Sequence, residues 1–598
     1  MEDKSKILST IEEQINSVVT DHFPTGFKFR PYQKESIIDT IYNWLYAEKT
    51  EIISAPTGSG KSVTAMIIAG VLSKYYGKTG YILVSDLNLI DQYDKDVNKF
   101  FPEWAVIKGQ QVYRCELNKL NFKSGVCKLK GAKTYDEIYS KYPECAAHCE
   151  YLIDRAKAIK SKVLVCSYSF WLIQQNVVKK KLQEKAPFNK RDFTICDEAH
   201  KIVSIVQNHF SPKFGHDDME KFQVIADNVE TYDTDSSATE PIKDLRDIIW
   251  NTDDNAKLHL LLKEYAKSFD VISDYINTIS RDLTNKTDEG LDLTPEDRKL
   301  AYLCDWANDH IASFNDYVDI IDKIGPDNIV KNETDNQKTL MFNCIDESYL
   351  MGKCFHDHCE KQMFMSATIG EPNAFAKDSA IGSFAYMSIP STFDFTNSPI
   401  FYVNNYKLSF KEKEFTLPKI IELIEYTIRM YAGYRGIIQT GSYQFAKALY
   451  EGVSQPVRNR LIIYDDSDQK KESLDRFKKC TDKILVGPSL IEGLSFDDDL
   501  CRFQIIMKVP YPSLKDKFVS AKQKMNPEWY SNTTAISILQ GVGRGVRNEK
   551  DWCVTFIFDG CFTYLYNVSR TMFPEEFNKR LQYIQPEAII NHVRNQAQ

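Results

Sequence analysis

The stretch Ser54-Ala55-Pro56-Thr57-Gly58-Ser59-Gly60-Lys61-Ser62 and the distant Asp197-Glu198-Ala199-His200 hold the residue types that cleavage of a phosphoanhydride requires. Gly58 and Gly60 let backbone N–H groups turn toward an anion, with Thr57 and Ser59 between and beside them. Lys61 then reaches the β- and γ-phosphates and Ser62 the Mg2+. Ala55 stands where the strict pattern has its first glycine, so alone the loop also reads as an ordinary Gly-rich turn. The second box argues against that, because it supplies Asp197 for the metal and Glu198 for the attacking water. A third segment, Gln540-Gly541-Val542-Gly543-Arg544-Gly545-Val546-Arg547, places Arg544 and Arg547 three positions apart on one side of a helix. A guanidinium brought to the γ-phosphate from an opposite lobe stabilises transition-state charge and makes hydrolysis depend on closure. A solvent-facing basic turn is the alternative, and the company of the first two segments weighs against it.

These side chains need strands to deliver them. Ile52 and Ile53 end an apolar strand before the glycine loop, and an apolar helix follows Ser62. Phe193 to Cys196 reads as a buried strand leading to Asp197, with further strands at Tyr81 to Val84, Val163 to Val165 and Met363 to Met365, the last running into Ser366-Ala367-Thr368. A second strand and helix series begins near Pro399, with strands at Gly436 to Ile438, Leu461 to Ile463, Ile484 to Val486, Phe503 to Met507 and Val554 to Phe558. The pattern predicts an α/β protein of two parallel-sheet lobes with a nucleotide in the cleft between them. A helix up to about Asp21 precedes Phe29-Arg30-Pro31-Tyr32-Gln33, where Gln33, beside Arg30, is placed to read an adenine edge.

Two stretches interrupt the alternation. Between Phe101 and Lys162 it stops and four cysteines appear; from about Lys201 to Asp346 long helices take over, clearest at Leu258 to Ile279 and Lys299 to Ile324, among acidic loops such as Asp233 to Glu240. The expected division is 1–108 first lobe, 109–150 cysteine insertion, 151–205 first lobe, 206–345 helical insertion, 346–395 first lobe and 396–598 second lobe.

A chain of 598 residues with 43% hydrophobic content is long enough for several cores. The start Met1-Glu2-Asp3-Lys4-Ser5-Lys6 lacks the apolar run of a secretory signal, and no stretch is long and charge-free enough for a bilayer, so a soluble intracellular protein without a membrane partner is expected. There the 14 cysteines are thiols or metal ligands rather than disulfides. A net charge of −8 excludes a general polyanion-binding surface but not a local basic channel.

The ordered set resembles the superfamily 2 helicases. Gln33 matches the Q-type adenine motif, Ala55 to Ser62 motif I, Asp197 to His200 motif II of the DEAH type, Ser366 to Thr368 motif III, Glu492-Gly493-Leu494-Ser495 motif V, and Gln540 to Arg547 motif VI. In that class alanine at the position of Ala55 is ordinary. The resemblance implies that Lys61, Asp197, Glu198, Gln540, Arg544 and Arg547 carry catalysis and that Gly493 joins the nucleotide site.

Cys115, Cys127, Cys145 and Cys149 lie in the first insertion, and by spacing alone they suit a tetrahedral zinc or an iron–sulfur cluster equally. The neighbourhood, Cys149-Glu150-Tyr151 with Arg155 and the strand ending near Tyr168, is similar to helicases of the XPD and DinG type, as are Pro510-Tyr511-Pro512 and Asn397-Ser398-Pro399-Ile400. That likeness implies a 4Fe–4S cluster on the four cysteines and an Arch domain in the helical insertion. The chain departs from the family at Gln110 and Val112, where the family often carries an arginine and an asparagine, so a phosphate contact carried by that arginine is either lost or moved to Arg114; Cys561 stands where an arginine is common. Cys354-Phe355-His356-Asp357-His358-Cys359 crowds its thiols and imidazoles into six positions, which argues for core rather than a zinc centre.

Tyr113, Phe122, Tyr142 and Tyr151 around the cysteines serve either as stacking platforms or as core, and Lys119, Lys123, Lys128, Lys130 and Lys133 give the segment a basic balance suited to nucleic acid. The resemblance implies an ATP- and Mg2+-dependent DNA helicase or translocase moving 5′→3′ on single-stranded and forked DNA in repair, recombination or replication. It implies a monomer, with the acidic helical insertion a candidate dock for a protein regulator, in the cytoplasm or nucleoid of a bacterium or virus-infected cell, or in a eukaryotic nucleus. Two alternatives stand beside it: a DEAH-type RNA helicase with a zinc-bound insertion, and a clamp or scaffold that ATP merely switches.

Overall fold

Adjacent residues of the predicted strands feed two different cores. Ile52, Tyr81 and Leu83 pack into one apolar cluster, while their neighbours Ile53, Ile82 and Val84 pack into another. A strand buried on both faces belongs to a parallel sheet with helices on each side. The computed structural model describes residues 4–56, 58–117, 119, 121–129, 132, 135–229, 239–289, 293–334, 338–391, 394–464, 467–488, 498–543 and 551–596.

The first lobe opens with helices α1 (Lys4–His22) and α2 (Gln33–Tyr46), then β1 (Thr50–Ser54), α3 (Lys61–Tyr75), β2 (Gly80–Val84), α4 (Leu87–Phe100), β3 (Ala105–Ile107), β4 (Val163–Ser167) and β5 (Phe193–Asp197). After an insertion containing β6 (Lys213–Gly215), β7 (Ile329–Thr334) and β8 (Thr339–Cys344), the lobe is completed by β9 (Lys361–Ser366) and β10 (Ala385–Ser388). Its sheet has seven strands in the order β10-β1-β9-β5-β2-β4-β3, all parallel. The order sets β9 between β1 and β5, so the ends of the strands carrying Ser54, Ser366 and Asp197 lie side by side. Gly80 permits close packing at the start of β2, since a Cβ there would stand 2.0 Å from the ring of Phe193.

The second lobe holds β11 (Ile400–Tyr402), β12 (Gly436–Gln439), β13 (Leu461–Ile463), β14 (Ile484–Gly487), β15 (Phe503–Ile506), β16 (Val554–Ile557) and β17 (Leu581–Tyr583) in the parallel order β13-β14-β12-β15-β16-β11-β17. The lobes touch near the end of β9. Gly370 (φ +75°) lies against Met572, whose sulfur accepts from Glu371 N at 3.3 Å, and Ser391 N donates to Glu576 Oε1 at 2.7 Å.

The helical insertion departs from expectation in three places. The run from Leu258 to Ile279 is two helices, Asn255–Ser268 and Asp270–Asp288, because the buried Phe269 between them turns its ring onto Phe222, Tyr265 and His310. Helix Pro295–Ile324 begins four residues before Lys299, with a reciprocal capping box between Thr294 and Asp297. The insertion also contains the antiparallel sheet β6-β8-β7, which the sequence reading does not foresee. β7 reaches the second lobe, where Asn332 Nδ2 donates to Asp516 Oδ2 at 2.9 Å and Glu347, just after the sheet, pairs with the buried Lys522. Among the described residues no helix is long and apolar enough to cross a membrane.

Candidate nucleotide site and cysteine segment

β1 runs into the glycine loop, and Ala55 N donates to Ser366 O at 2.9 Å, anchoring the loop to the end of β9. Gly58 (φ +83°) and Gly60 (φ +84°) adopt the left-handed conformation that other residues take only with strain. Gly60 is the N-cap of α3, so the unpaired N–H groups of the first turn and the positive end of the helix dipole meet at Lys61 and Ser62. Lys61 Nζ donates to Ala55 O at 3.3 Å, folded back over the loop. Thr57 lies outside the described residues. The arrangement suits a polyphosphate.

Gln33 is placed against this loop rather than presented outward. Its Nε2 donates to Gly60 O and to Thr64 Oγ1, both at 3.2 Å, and its Oε1 accepts from Arg30 N at 3.0 Å. The amide read from the sequence as an adenine reader is thus engaged on both sides by the loop and by Arg30, which brings both residues to the nucleotide site through the backbone. A side chain at Gly60 would meet Gln33 Nε2 at 2.8 Å, which ties that glycine to packing as well as to conformation.

β5 delivers Asp197 into a buried position among hydrogen-bond donors. Its Oδ1 accepts from Glu198 N at 2.8 Å, its Oδ2 accepts from the Tyr93 hydroxyl at 3.0 Å, and its carbonyl accepts from the Tyr168 hydroxyl at 2.8 Å. Burial, then repulsion by Glu198, raises the Asp197 carboxyl above its ordinary range, against the pull of Lys61 and the donors around it. A divalent cation placed there would reverse that balance, and hard oxygen donors, the Asp197 carboxylate and the Ser62 hydroxyl, are the chemistry that suits Mg2+. Glu198 has φ +50°, and its carboxylate lies 3.3 Å from His200 Nδ1. His200 Nδ1 is also 2.7 Å from Ser366 Oγ, Ser366 Oγ is 3.5 Å from Thr368 Oγ1, and Gln540 Nε2 of the second lobe donates to Thr368 Oγ1 at 3.4 Å. A chain of polar contacts therefore runs from the acidic box through Ser366 and Thr368 to the helix Pro527–Val542 of the other lobe. Arg544, Arg547, Gly493 and the rest of the Glu492 to Ser495 segment lie outside the described residues.

Tyr93 and Tyr168 were not singled out as site residues by the sequence reading. Tyr93 sits in the apolar stripe Ile90-Tyr93-Val97 of α4, where a phenol looks like one more core ring; its signal was the polar tip in a stripe that otherwise carries none.

Cys115 and Cys127 are buried, and Cys145 and Cys149 half-buried, in short helices and turns that precede helix Glu150–Lys160. Burial raises the Cys145 and Cys149 thiols above their ordinary range, and the neighbouring Cys115 adds to both shifts. Burial pushes the Cys127 thiol up to about 12, with Cys145 and Cys149 adding to the shift. Gathered thiols whose deprotonation is opposed by burial and by one another are the donor chemistry of a thiolate-held metal centre, which supplies the missing positive charge. Their sulfurs do not close into a metal-ligating group, and none is formed among the described residues.

Three of the four aromatics singled out here are core, and Tyr142 is half-buried against them. Tyr113, Phe122 and Tyr151 are at most 7% exposed. Tyr113 donates to Asp154 Oδ2 at 2.8 Å, while Gln110 Nε2 donates to the hydroxyls of Tyr135 (2.8 Å) and Tyr151 (3.1 Å). Gln110 thus ties the segment's interior together through these two hydroxyls. The basic balance is partly consumed as well: Lys128 donates to Ala132 O at 3.2 Å over the rings of Phe122 and Tyr135, and Lys123 pairs with Asp309 of the helical insertion at 3.1 Å. Lys130 and Lys133 lie outside the described residues. In the Cys354 to Cys359 segment both cysteines are buried, His356 bonds to Gln362 Oε1 and Ser379 O at 2.7 Å each, and His358 contacts Asn176. These are satisfied core residues. Near Cys561, Asp559 accepts from the backbone N–H groups of Leu408, Val509 and Cys561, a structural knot between three loops.

Two family profiles match the chain: one described as Helicase C-terminal domain over residues 432–579, the other as Type III restriction enzyme, res subunit, over residues 26–215. An ATP-dependent DNA helicase CHL1 of Yarrowia lipolytica is 24% identical over a stretch covering 19% of this chain and 18% of that relative. The chain thus spans less than a fifth of the relative's length in that match. The solved structures of Xpd4 from S. tokodaii and of an XPD helicase share the fold, with TM-scores of 0.59 and 0.61 at 15% and 14% identity, each covering 93% of this chain and 100% of the other. Profiles, relative and fold agree with the resemblance carried by motifs I, II, III and VI.

Proposed function

We infer that this chain, which is similar to the XPD/DinG-like helicases of superfamily 2, is an ATP-dependent DNA helicase or translocase. The observation that carries the inference is the meeting of three separate segments at the sheet ends. The glycine loop follows β1, Asp197 and Glu198 follow β5, and Gln540 arrives at Thr368 from the second lobe. Lys61 and the α3 amides bind the phosphates, Ser62 and Asp197 hold Mg2+, Glu198 orients the attacking water, and Gln540, Arg544 and Arg547 sense the γ-phosphate. Arg30, Gln33, Thr57 to Gly60 and Gly493 complete the nucleotide's surroundings. Hydrolysis that needs both lobes converts each turnover into lobe movement, which is what displacement along a strand requires.

By likeness to the XPD/DinG-like helicases, the chain is read as a cysteine insertion at 109–150 and an Arch-like helical insertion at 206–345, with one strand threaded between them and movement 5′→3′. Unwinding is tested on duplexes with a 5′ or a 3′ single-stranded tail, with ATP and protein purified without oxygen. Displacement of the 5′-tailed DNA alone is expected. Preference for a 3′ tail would overturn the direction, and stimulation by RNA but not DNA would overturn the substrate.

The four cysteines are assigned to a 4Fe–4S cluster, which when bound would supply a rigid, electron-dense staple for the segment. Cys115→Ser is expected to remove the iron and the broad visible absorbance of the purified protein, and with them strand displacement, while DNA-stimulated ATP turnover falls less. Iron content and native mass give readouts independent of activity. Full iron and full absorbance in that variant would sink the cluster assignment, and stoichiometric zinc in the parent would turn the segment into a zinc site.

A further inference from the structure

α4 buries Ile90, Tyr93 and Val97 along one face, and Tyr93 alone of the three brings a polar atom into the core. The ring is fully buried, yet its hydroxyl is partnered: it donates to Asp197 Oδ2 at 3.0 Å. That partner is the carboxylate read as an Mg2+ ligand, 104 residues further along the chain. Phenylalanine would fill the same volume, and an unpartnered buried hydroxyl costs about 1–3 kcal/mol, so the phenol is explained by what it bonds to. Asp197 Oδ1 is held by Glu198 N and Oδ2 by Tyr93, so the rotation of the carboxylate is fixed at both oxygens. Each carboxylate oxygen accepts at two sites, which leaves Oδ2 a lone pair for a cation.

We propose that Tyr93 is a positioning residue for the divalent cation of the nucleotide site: its hydroxyl sets the orientation of Asp197. This rests on the assignment of the nucleotide site given above. Donors that orient a metal-binding carboxylate matter by about 10- to 100-fold in metal affinity. A tyrosine that merely tied α4 to β5 would affect stability and leave the metal dependence alone.

The test uses the full chain and its Tyr93→Phe variant, with a fluorescent ADP analogue titrated in EDTA and again across a Mg2+ series, and bound Mn2+ followed by electron paramagnetic resonance. Thermal unfolding of the metal-free proteins checks that both fold. The expected result is nucleotide affinity in EDTA within about twofold of the parent, a Mg2+ midpoint raised about 10- to 100-fold, and a matching loss of bound Mn2+. An unchanged Mg2+ midpoint overturns the proposal, as does an equal loss of nucleotide affinity with and without Mg2+. A parent protein whose nucleotide affinity ignores Mg2+ would overturn the nucleotide-site assignment itself, and is told apart because it appears without the substitution.

Discussion

Lys61→Ala is expected to cut ATP turnover by at least about 10²–10³-fold and to abolish strand displacement while the protein stays folded. The side chain stands at the positive end of α3 and, among the described residues, its ammonium donates to one backbone acceptor, Ala55 O, at 3.3 Å. It is therefore held near the loop without being part of the core, which lies further along α3 at Ala65 to Leu72. Removing it leaves the glycine loop and the α3 amides in place but withdraws the positive charge that meets the β- and γ-phosphates. It also withdraws the attraction that partly offsets the raised proton affinity of Asp197, so the cation site weakens with it. Phosphate release with and without single-stranded DNA reads the first effect, and circular dichroism with thermal unfolding checks the fold. Turnover within tenfold of the parent would refute the loop's assigned role.

The lobes were legible because their strands are buried on both faces and read as unbroken apolar runs: Ile52-Ile53, Tyr81 to Val84 and Phe193 to Cys196 each became a strand of the parallel sheet. The same reasoning missed the antiparallel sheet of the insertion. β7 carries Lys331 and Asn332 at buried positions, and a buried lysine erases the apolar pattern. Its ammonium is satisfied by Ile249 O at 3.3 Å, Trp250 O at 2.7 Å and Thr252 O at 2.6 Å, at and beyond the carboxyl end of helix Glu240–Trp250, contacts between residues about 80 positions apart that no local pattern reveals. The break at Phe269 is hidden for the same reason, since an aromatic ring fits either a continuous stripe or a corner, and only its partners Phe222 and His310 choose the corner. At the site, residue type gave the chemistry but not its wiring. Gln33 was visible as a ligand-facing amide, yet its contact with Gly60 O shows only once the loop is folded against α2. Tyr113 and Tyr151 read as open platforms or core on equal terms, and their hydroxyl partners Asp154 and Gln110 decide for core.

Glu198→Gln is expected to lower turnover by about 10²–10⁴-fold, the share a positioned general base contributes, while nucleotide and single-stranded DNA binding persist. Glu198 sits at φ +50°, a conformation costing about 1–3 kcal/mol in a residue other than glycine and kept only when its surroundings impose it. Those surroundings include its own N–H bonded to Asp197 Oδ1 and its carbonyl accepting from Lys201 N at 3.1 Å, besides the contact of its carboxylate with His200. The first two are backbone contacts, so glutamine keeps them and the loop keeps its shape. What changes is charge. A neutral side chain removes the like-charge repulsion that Glu198 exerts on Asp197, so Asp197 becomes easier to ionise and Mg2+-dependent nucleotide binding holds or tightens as hydrolysis fails. This opposite movement of binding and turnover separates a motor from a switch: a clamp that only binds ATP would show no steady DNA-stimulated turnover in the parent and nothing for the substitution to remove. Single-turnover phosphate release alongside equilibrium nucleotide binding measures both directions in one preparation, and a fall of binding in step with turnover would assign Glu198 to holding the site together instead of activating water.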